Sequence, residues 1–444
     1  MELDFSGGLS GSHALLDRYR ARLLRSADRM EDGHGLGGAT IPQLHARLAG
    51  RPDGESDLAY ASIRARLRLA EIGTDEQAPQ PLTEDERRGV CLVSTPPIRR
   101  STMAPRPWRA RNFLGLRQRP AAAPGLAVPR PRWYPVAAAR RTSLLILVLA
   151  QTYLAIMAML QVLPYHGTQP LEIAQLALFG ILMAWISAGF WTAIAGFALR
   201  LRGKDPHAIS AKPIAGKPLD PAARTAIVMP ICNEDVARVF AGLRATYCSI
   251  ERAGALDQFD FFLLSDSSEP DARVAERAAW LDVCRECNAF GRIFYRLRRH
   301  RIKRKSGNVA DFCRRWGKNY RYMVVFDADS VMTGSCLVEL VRLMEANPDA
   351  GIIQTAPQPS GRDTMYARIQ QFAAHVYGPL FVAGMHYWQL GEAHYWGHNA
   401  IIRVAPFIRH CALARLPGRG TLSGEILSHD FVEAALMRRA GWGV

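Results

Sequence analysis

Two uncharged apolar stretches, Thr142–Leu163 and Ile173–Leu199, constrain this chain more than any other feature. A bilayer core takes about 20 apolar residues of helix. Two such stretches are rare inside a soluble core. The second also carries Trp185, Trp191, Gly180, Gly189 and Gly196, residue types common in membrane helices. Both are therefore expected to span a membrane, as two transmembrane helices over residues 142–202. Arg130, Arg132, Arg140 and Arg141 precede the first, and Arg200, Arg202 and Lys204 follow the second. The loop between them, Pro164–Glu172, holds neither Lys nor Arg. Cytoplasmic flanks collect positive charge, so both ends are expected in the cytoplasm.

Residues 1–141 read as an Arg/Pro-rich cytoplasmic arm. Leu15–Met30 and Leu58–Ile72 have the spacing of basic helices, and Pro96–Pro135 has the Pro, Arg and Ala content of a linker. The N-terminus mixes acidic, polar and basic residues, so no cleavable signal peptide is expected. A formal charge of +16 fits three partners: nucleic acid, anionic membrane lipid or a phosphorylated substrate. The eight cysteines are scattered, which is the usage of a reducing compartment. Cys284 and Cys287 form a lone C-x-x-C without a second pair at zinc spacing.

Beyond a Pro/Lys linker at 203–224, apolar runs alternate with amphipathic ones. Strands are expected at Thr225–Met229, Phe259–Leu264, Ile293–Leu297, Tyr322–Phe326 and Gly351–Thr355, with helices between them. That alternation predicts an α/β domain over residues 225–444, a mostly parallel sheet with helices on both faces. Ligands of such sheets bind beyond the carboxyl ends of the strands, so the strand ends carry the candidate chemistry.

The first strand runs into Pro230-Ile231-Cys232-Asn233-Glu234, where Pro should stop the ladder and Asn233 is either a helix cap or a ligand group. The second ends at Ser265-Asp266-Ser267-Ser268, where Asp266 either meets a base or ribose or caps a helix. The fourth runs into Asp327-Ala328-Asp329. Residues two apart in an extended segment share a side, and adjacent carboxylates repel unless a cation neutralises them. Hard oxygen ligands suit Mg2+ or Mn2+ carrying a diphosphate. Between residues 292 and 321 lie twelve Lys or Arg and a single acid, Asp311. Within this run Lys305, Gly307 and Asn308 precede or open a helix, whose N-terminus favours an anion such as diphosphate. Arg296–Arg301 also fits a solvated or lipid-facing surface. No nucleic-acid motif accompanies the run, so nucleic acid is not expected as a partner. Ser428-His429-Asp430 opens a later helix. Asp430 is there either a general base or the partner of Glu433 in a capping box.

Pro230–Glu234, Asp266, Lys305–Asn308, Asp327-Ala328-Asp329 and Ser428–Asp430, in this order behind two membrane spans, resemble the processive inverting glycosyltransferases that include cellulose and hyaluronan synthases. Met229–Glu234, Lys303–Asp311, Tyr395–Ala400 and His429–Ala434 are similar to the branch that builds osmoregulated periplasmic glucans. The resemblance implies a GT-A fold at the inner membrane and transfer of glucose from UDP-glucose, with inversion, to a growing glucan acceptor. It implies donor contacts by Pro230, Asn233, Glu234, Asp266, Lys305, Asn308 and Asp327, with Asp266 at the uridine and Lys305 near the phosphates. Mg2+ or Mn2+ would sit on Asp329 and Asp327. Trp396, Gly397, His398 and Asn399 would line the acceptor cleft, and Asp430 would be the catalytic base. A periplasmic glucan-processing partner is implied as well. The relatives carry an Arg-Trp motif and further spans downstream of the base, whereas this chain stops at Val444. The resemblance therefore implies a chain truncated at its C-terminus. Two other readings stay open: a synthase of another β-glycan such as cellulose, and an inactive membrane-anchored fragment that binds nucleotide sugar.

Overall fold

The computed structural model describes residues 96–105, 133–203, 205–209, 214, 218–419 and 423–444. The expected helices at Leu15–Met30 and Leu58–Ile72, and most of the Pro96–Pro135 linker, lie outside the described residues.

Two long helices come first, α1 (Trp133–Val162) and α2 (Pro170–Arg202). Both are long and apolar enough to cross a membrane, with 18-residue windows of mean hydropathy 2.2 and 1.9 respectively. Leu145, Ile146, Leu154, Ile181, Leu182 and Trp185 turn outward along them. Several polar groups among these apolar side chains find partners, whereas Thr152 Oγ1 and Trp191 Nε1 have none among the described residues. Ser187 Oγ donates to Gln151 Oε1 at 2.8 Å, and Glu172 closes the connecting turn by accepting from Tyr165 N and Gly167 N. α1 begins at Trp133, ahead of the apolar stretch at Thr142, because its first turns dock on the soluble part. Trp133 Nε1 donates to Asp349 Oδ2 at 3.3 Å, and Arg140 forks onto Asp205 and lies over the Tyr387 ring.

Six strands follow: β1 (Thr225–Ile231), β2 (Phe259–Ser265), β3 (Ile293–Leu297), β4 (Tyr322–Val325), β5 (Ile352–Gln354) and β6 (Ala400–Arg403). They form one sheet in the order β3-β2-β1-β4-β6-β5. The neighbours from β3 to β4 are parallel, and β6 alone runs against its neighbours, with Val325 opposite Ala400 and Ile353 opposite Ile401. β6 is absent from the sequence reading because a short strand buried on both sides has no alternation to detect. Helices α3 (Val236–Arg252), α4 (Pro270–Glu286) and α6 (Gly334–Ala346) cover one face, and α5 (Arg304–Arg315) and α9 (Val404–His410) cover the other. Alternate residues of β1 serve the two cores: Ile227 and Met229 pack with Tyr247, Trp280 and Leu337, whereas Ala226 and Val228 pack with Phe312, Trp316 and Phe407. α10 (His429–Arg439) closes the described chain near its end.

Pro230 does not stop β1, contrary to the sequence expectation. Pairing with β2 continues through Pro230 to Ile231, while pairing with β4 ends at Val228 opposite Val325. Ile231 O accepts from Asp266 N and Val228 O from Phe326 N, so the proline's missing N–H faces the side that β4 has already left.

Between β5 and β6 lie α7 (Met365–Val376) and α8 (Gly378–Gln389). α7 exposes Met365, Tyr366, Ile369 and Phe372. α8 crosses α2 backbone to backbone: a Cβ added at Gly196 would fall 2.0 Å from Leu380 O, and one at Gly384 2.0 Å from Thr192 O.

Cys284 and Cys287 take different partners. Cys284 is buried with its Sγ 3.8 Å from Ile293 O. The Cys287 thiol hydrogen-bonds Cys248 on α3, which pulls the Cys248 thiol down to about 7 against the upward push of burial. A thiolate is the nucleophile, so iodoacetamide is expected to label Cys248 ahead of the buried Cys313 and Cys411, with a rate that rises through about pH 7. Cys287→Ala should move that midpoint up toward the ordinary thiol value of about 8.5. Labelling followed by peptide mass mapping checks this, and an unmoved midpoint contradicts it.

Candidate active site

The carboxyl ends of β1, β2 and β4 form a mouth that the first turn of α5 overlooks. From that turn Lys305 reaches across, pairing its Nζ with Asp327 Oδ1 and donating to Gly397 O at 2.8 Å. His398 Nε2 stands 3.7 Å from Asp327 Oδ2. Gly397 has φ +84°, and a Cβ built on it would lie 3.4 Å from Asp430 Oδ2, so the Asp430 carboxylate abuts this glycine. Lys305, Asp327, Gly397, His398 and Asp430 therefore meet, although the sequence separates them widely.

The segment from Trp396 to Asn399 is held there by the sheet. Asn399 N donates to Val325 O at 2.7 Å, and Asn399 O accepts from Thr355 N and Oγ1. Gln354, at the end of β5, accepts from Trp396 N at 2.9 Å and donates to His398 O at 3.0 Å. Sequence reasoning passed over Gln354. Its signal was a polar residue ending an otherwise apolar strand. Trp396 stays half-exposed, while Asn399 is buried.

Asp327 and Asp329 were expected side by side on an extended segment. The chain instead turns after Phe326: Ser330 N donates to Asp327 O at 3.0 Å. Asp327 goes to Lys305, and Asp329 goes to Arg238 Nη2 at 3.2 Å. Side-chain cations thus neutralise both carboxylates. Among the described residues no group of three or more His, Cys, Asp or Glu could hold a metal. Mg2+ is usually held by one or two carboxylates together with substrate phosphates. The two aspartates therefore fit an ion that arrives with a diphosphate, not one caged by protein alone.

The basic run is not a solvated face at its start. Arg298 forks onto buried Asp266, with Nε 2.7 Å from Oδ1 and Nη2 2.6 Å from Oδ2. Arg296 pairs with Asp311 and Asn308 Oδ1, and burial pulls its guanidinium down to about 10 while Asp311 opposes that shift. Asn308 was expected at the donor. It is fully buried, with Nδ2 donating to Leu264 O at 2.7 Å, and braces β2 from below.

Asn233 does not cap α3 as expected and instead braces the segment leading into α4, whose own N-cap position is Glu269. Its φ is +54°, and its Oδ1 accepts from Ser268 N at 2.9 Å and Glu269 N at 3.2 Å, at the entry to α4. Asp235 caps α3 instead, accepting from Arg238 N at 3.1 Å. Glu234 is exposed beside them. Buried Glu276, which the sequence did not single out, accepts from Ser265 Oγ, Ser267 Oγ and Tyr295 OH. Ser267 Oγ in turn accepts from Asn233 N at 2.8 Å, so this carboxylate ties the ends of β1 and β2 together.

The capping box at α10 does not form. Ser428 makes no side-chain cap, and Glu433 turns inward to His429 Nδ1 at 3.2 Å. Burial pushes the Glu433 carboxyl up, and His429 draws it back. Asp430 is thereby released from a capping role and stands at the mouth.

Comparison with known proteins bears on this geometry. Residues 226–411 match the model of glycosyl transferase family 2. Glucans biosynthesis glucosyltransferase H of Cupriavidus pinatubonensis is 58% identical over 91% of this chain and 50% of its own length. The protein of that name from Pseudomonas fluorescens is 56% identical over 97% of this chain and 53% of its own. A solved mannosyltransferase, PcManGT from Pyrobaculum calidifontis in complex with GDP-Man and Mn2+, covers 57% of this chain and 64% of its own at 16% identity and a TM-score of 0.34, too slight a likeness to argue from. The chain spans about half the length of the curated relatives it matches. The sheet with its charged mouth is thus similar to glycosyl transferase family 2 over residues 226–411, in a chain that resembles glucans biosynthesis glucosyltransferase H over nearly all of its length.

Proposed function

We propose that this chain carries the donor site and the base of an inner-membrane enzyme that transfers glucose from UDP-glucose, with inversion, to a growing β-glucan in osmoregulated periplasmic glucan synthesis. The observation that carries the reading is the meeting of Lys305, Asp327 and Asp430 around Gly397, a cation and a base on one mouth. The uridine lies against the wall formed by Asp266 and Arg298, near Pro230, Asn233 and Glu234. The diphosphate draws Lys305 toward it from Asp327. Asp329 and Asp327 would hold Mg2+ or Mn2+, which would supply positive charge for the leaving group. The acceptor lies over Trp396, Gly397, His398 and Asn399. Asp430 takes the proton of its hydroxyl while the new oxygen–carbon bond forms at the anomeric carbon and the bond to UDP breaks on the opposite face. Asn308 supports β2 and makes no donor contact in this reading.

The outward apolar surfaces of α1 and α2, and the exposed apolar side chains of α7, which packs on α8, support anchoring in the inner membrane with the arm and the catalytic domain in the cytoplasm. The exposed Arg200 and Arg202 at the end of α2 then face anionic lipid. Competition titrations test the substrate: UDP-glucose should bind more tightly than UDP-N-acetylglucosamine or GDP-mannose by about tenfold or more. A different preferred donor would overturn the substrate assignment while leaving the fold untouched.

A further inference from the structure

Residues 96–105, expected as free linker, lie across the C-terminal end of α5. Trp316 Nε1 donates to Pro96 O at 3.1 Å and Asn319 Nδ2 to Pro97 O at 2.7 Å. Ser101 returns two donors to the helix end, N to Arg314 O at 2.8 Å and Oγ to Cys313 O at 2.9 Å. Carbonyls in the last turn of a helix have no partner inside the helix, so this segment supplies what α5 lacks. Met103 then enters the core, only 4% exposed, in the cluster that holds Phe312, Cys313 and Trp316.

The other end of α5 is bent sharply. Lys303 and Arg304 are both left-handed, at φ 60° and 45°, a conformation that side-chain-bearing residues keep only when their surroundings hold it. A Cβ on Gly307 would fall 2.0 Å from Ile302 O, so the first turn is wedged onto the preceding loop. Lys305 leaves this turn for Asp327 and Gly397. One helix of 12 residues therefore links the docked segment to the cation of the mouth.

We propose that residues 96–105 are a strap that sets the position of Lys305 by fixing α5, which makes Ser101 and Met103 positioning residues for donor binding. The proposal rests on the donor-site reading above. It is tested by titrating UDP-glucose into the full chain in lipid nanodiscs. Met103→Asp should weaken binding about fivefold or more, and Ser101→Ala about twofold, with Ser101→Thr restoring it. Thr102→Asp places the same charge on an exposed neighbour and should change nothing. In a Lys305→Ala background Met103→Asp should add no further loss, because both act on one contact. If Met103→Asp does not fold, Met103→Ala is judged by the same double-mutant criterion. Additive losses, or a lowered unfolding temperature with unchanged affinity of the folded protein, overturn the strap. Lys305→Ala with unchanged UDP-glucose affinity would overturn the donor reading, and the strap's role with it. Weakened binding in Lys305→Ala with no effect from the strap variants would sink the strap alone.

Discussion

Asp430→Asn is expected to lower glucan synthesis by about 10²–10⁴-fold, the usual contribution of a positioned base. The measurement is incorporation of glucose by membranes that hold the complete enzyme. Asn keeps the shape of the side chain against Gly397 but has no carboxylate to take a proton. Glu433, the other acid of α10, is buried and engaged by His429, so it is badly placed to substitute. UDP-glucose affinity should stay within about twofold, because the base acts on the acceptor and an interaction made only in the transition state leaves ground-state binding alone. A variant with full activity would remove Asp430 from the mechanism.

Asp327→Ala combined with Asp329→Ala is the second large effect. UDP-glucose affinity should fall by about 10- to 100-fold, the scale of lost charged contacts. Stability should change little on the Asp329 side, where the pair with Arg238 is exposed. Loss of Asp327 frees Lys305, which is 28% exposed and hydrated enough to stand alone while keeping its bond to Gly397 O. Affinity and unfolding temperature measured on the same preparation separate the two outcomes. Unchanged affinity would contradict a site in which these carboxylates serve the diphosphate.

Much of the sheet was legible because its central strands are buried on both faces. Ala226–Ile231 and Phe261–Leu264 are continuous apolar runs for that reason. The site was legible only as an order of motifs at strand ends. Its pairings were not, since Arg298 meets Asp266 and Lys305 meets Asp327 across the fold. Local sequence could not show the turn at Asp327, which Ser330 closes by donating from N to Asp327 O and accepting at Oγ from Asp327 N, and after which the second carboxylate meets Arg238. Pro-rich composition likewise hid the docked segment at 96–105. Its partners are helix-end carbonyls and the distant side-chain donors of Trp316 and Asn319, which no residue pattern marks.

A UDP-glucose site served by a divalent cation must lose affinity when the cation is withdrawn. Titration of UDP-glucose into the full chain in nanodiscs, with Mn2+ and then with excess EDTA, tests it most directly. Binding should saturate with Mn2+, and EDTA should weaken it about tenfold or more. No binding under either condition, or the same affinity under both, would contradict such a site.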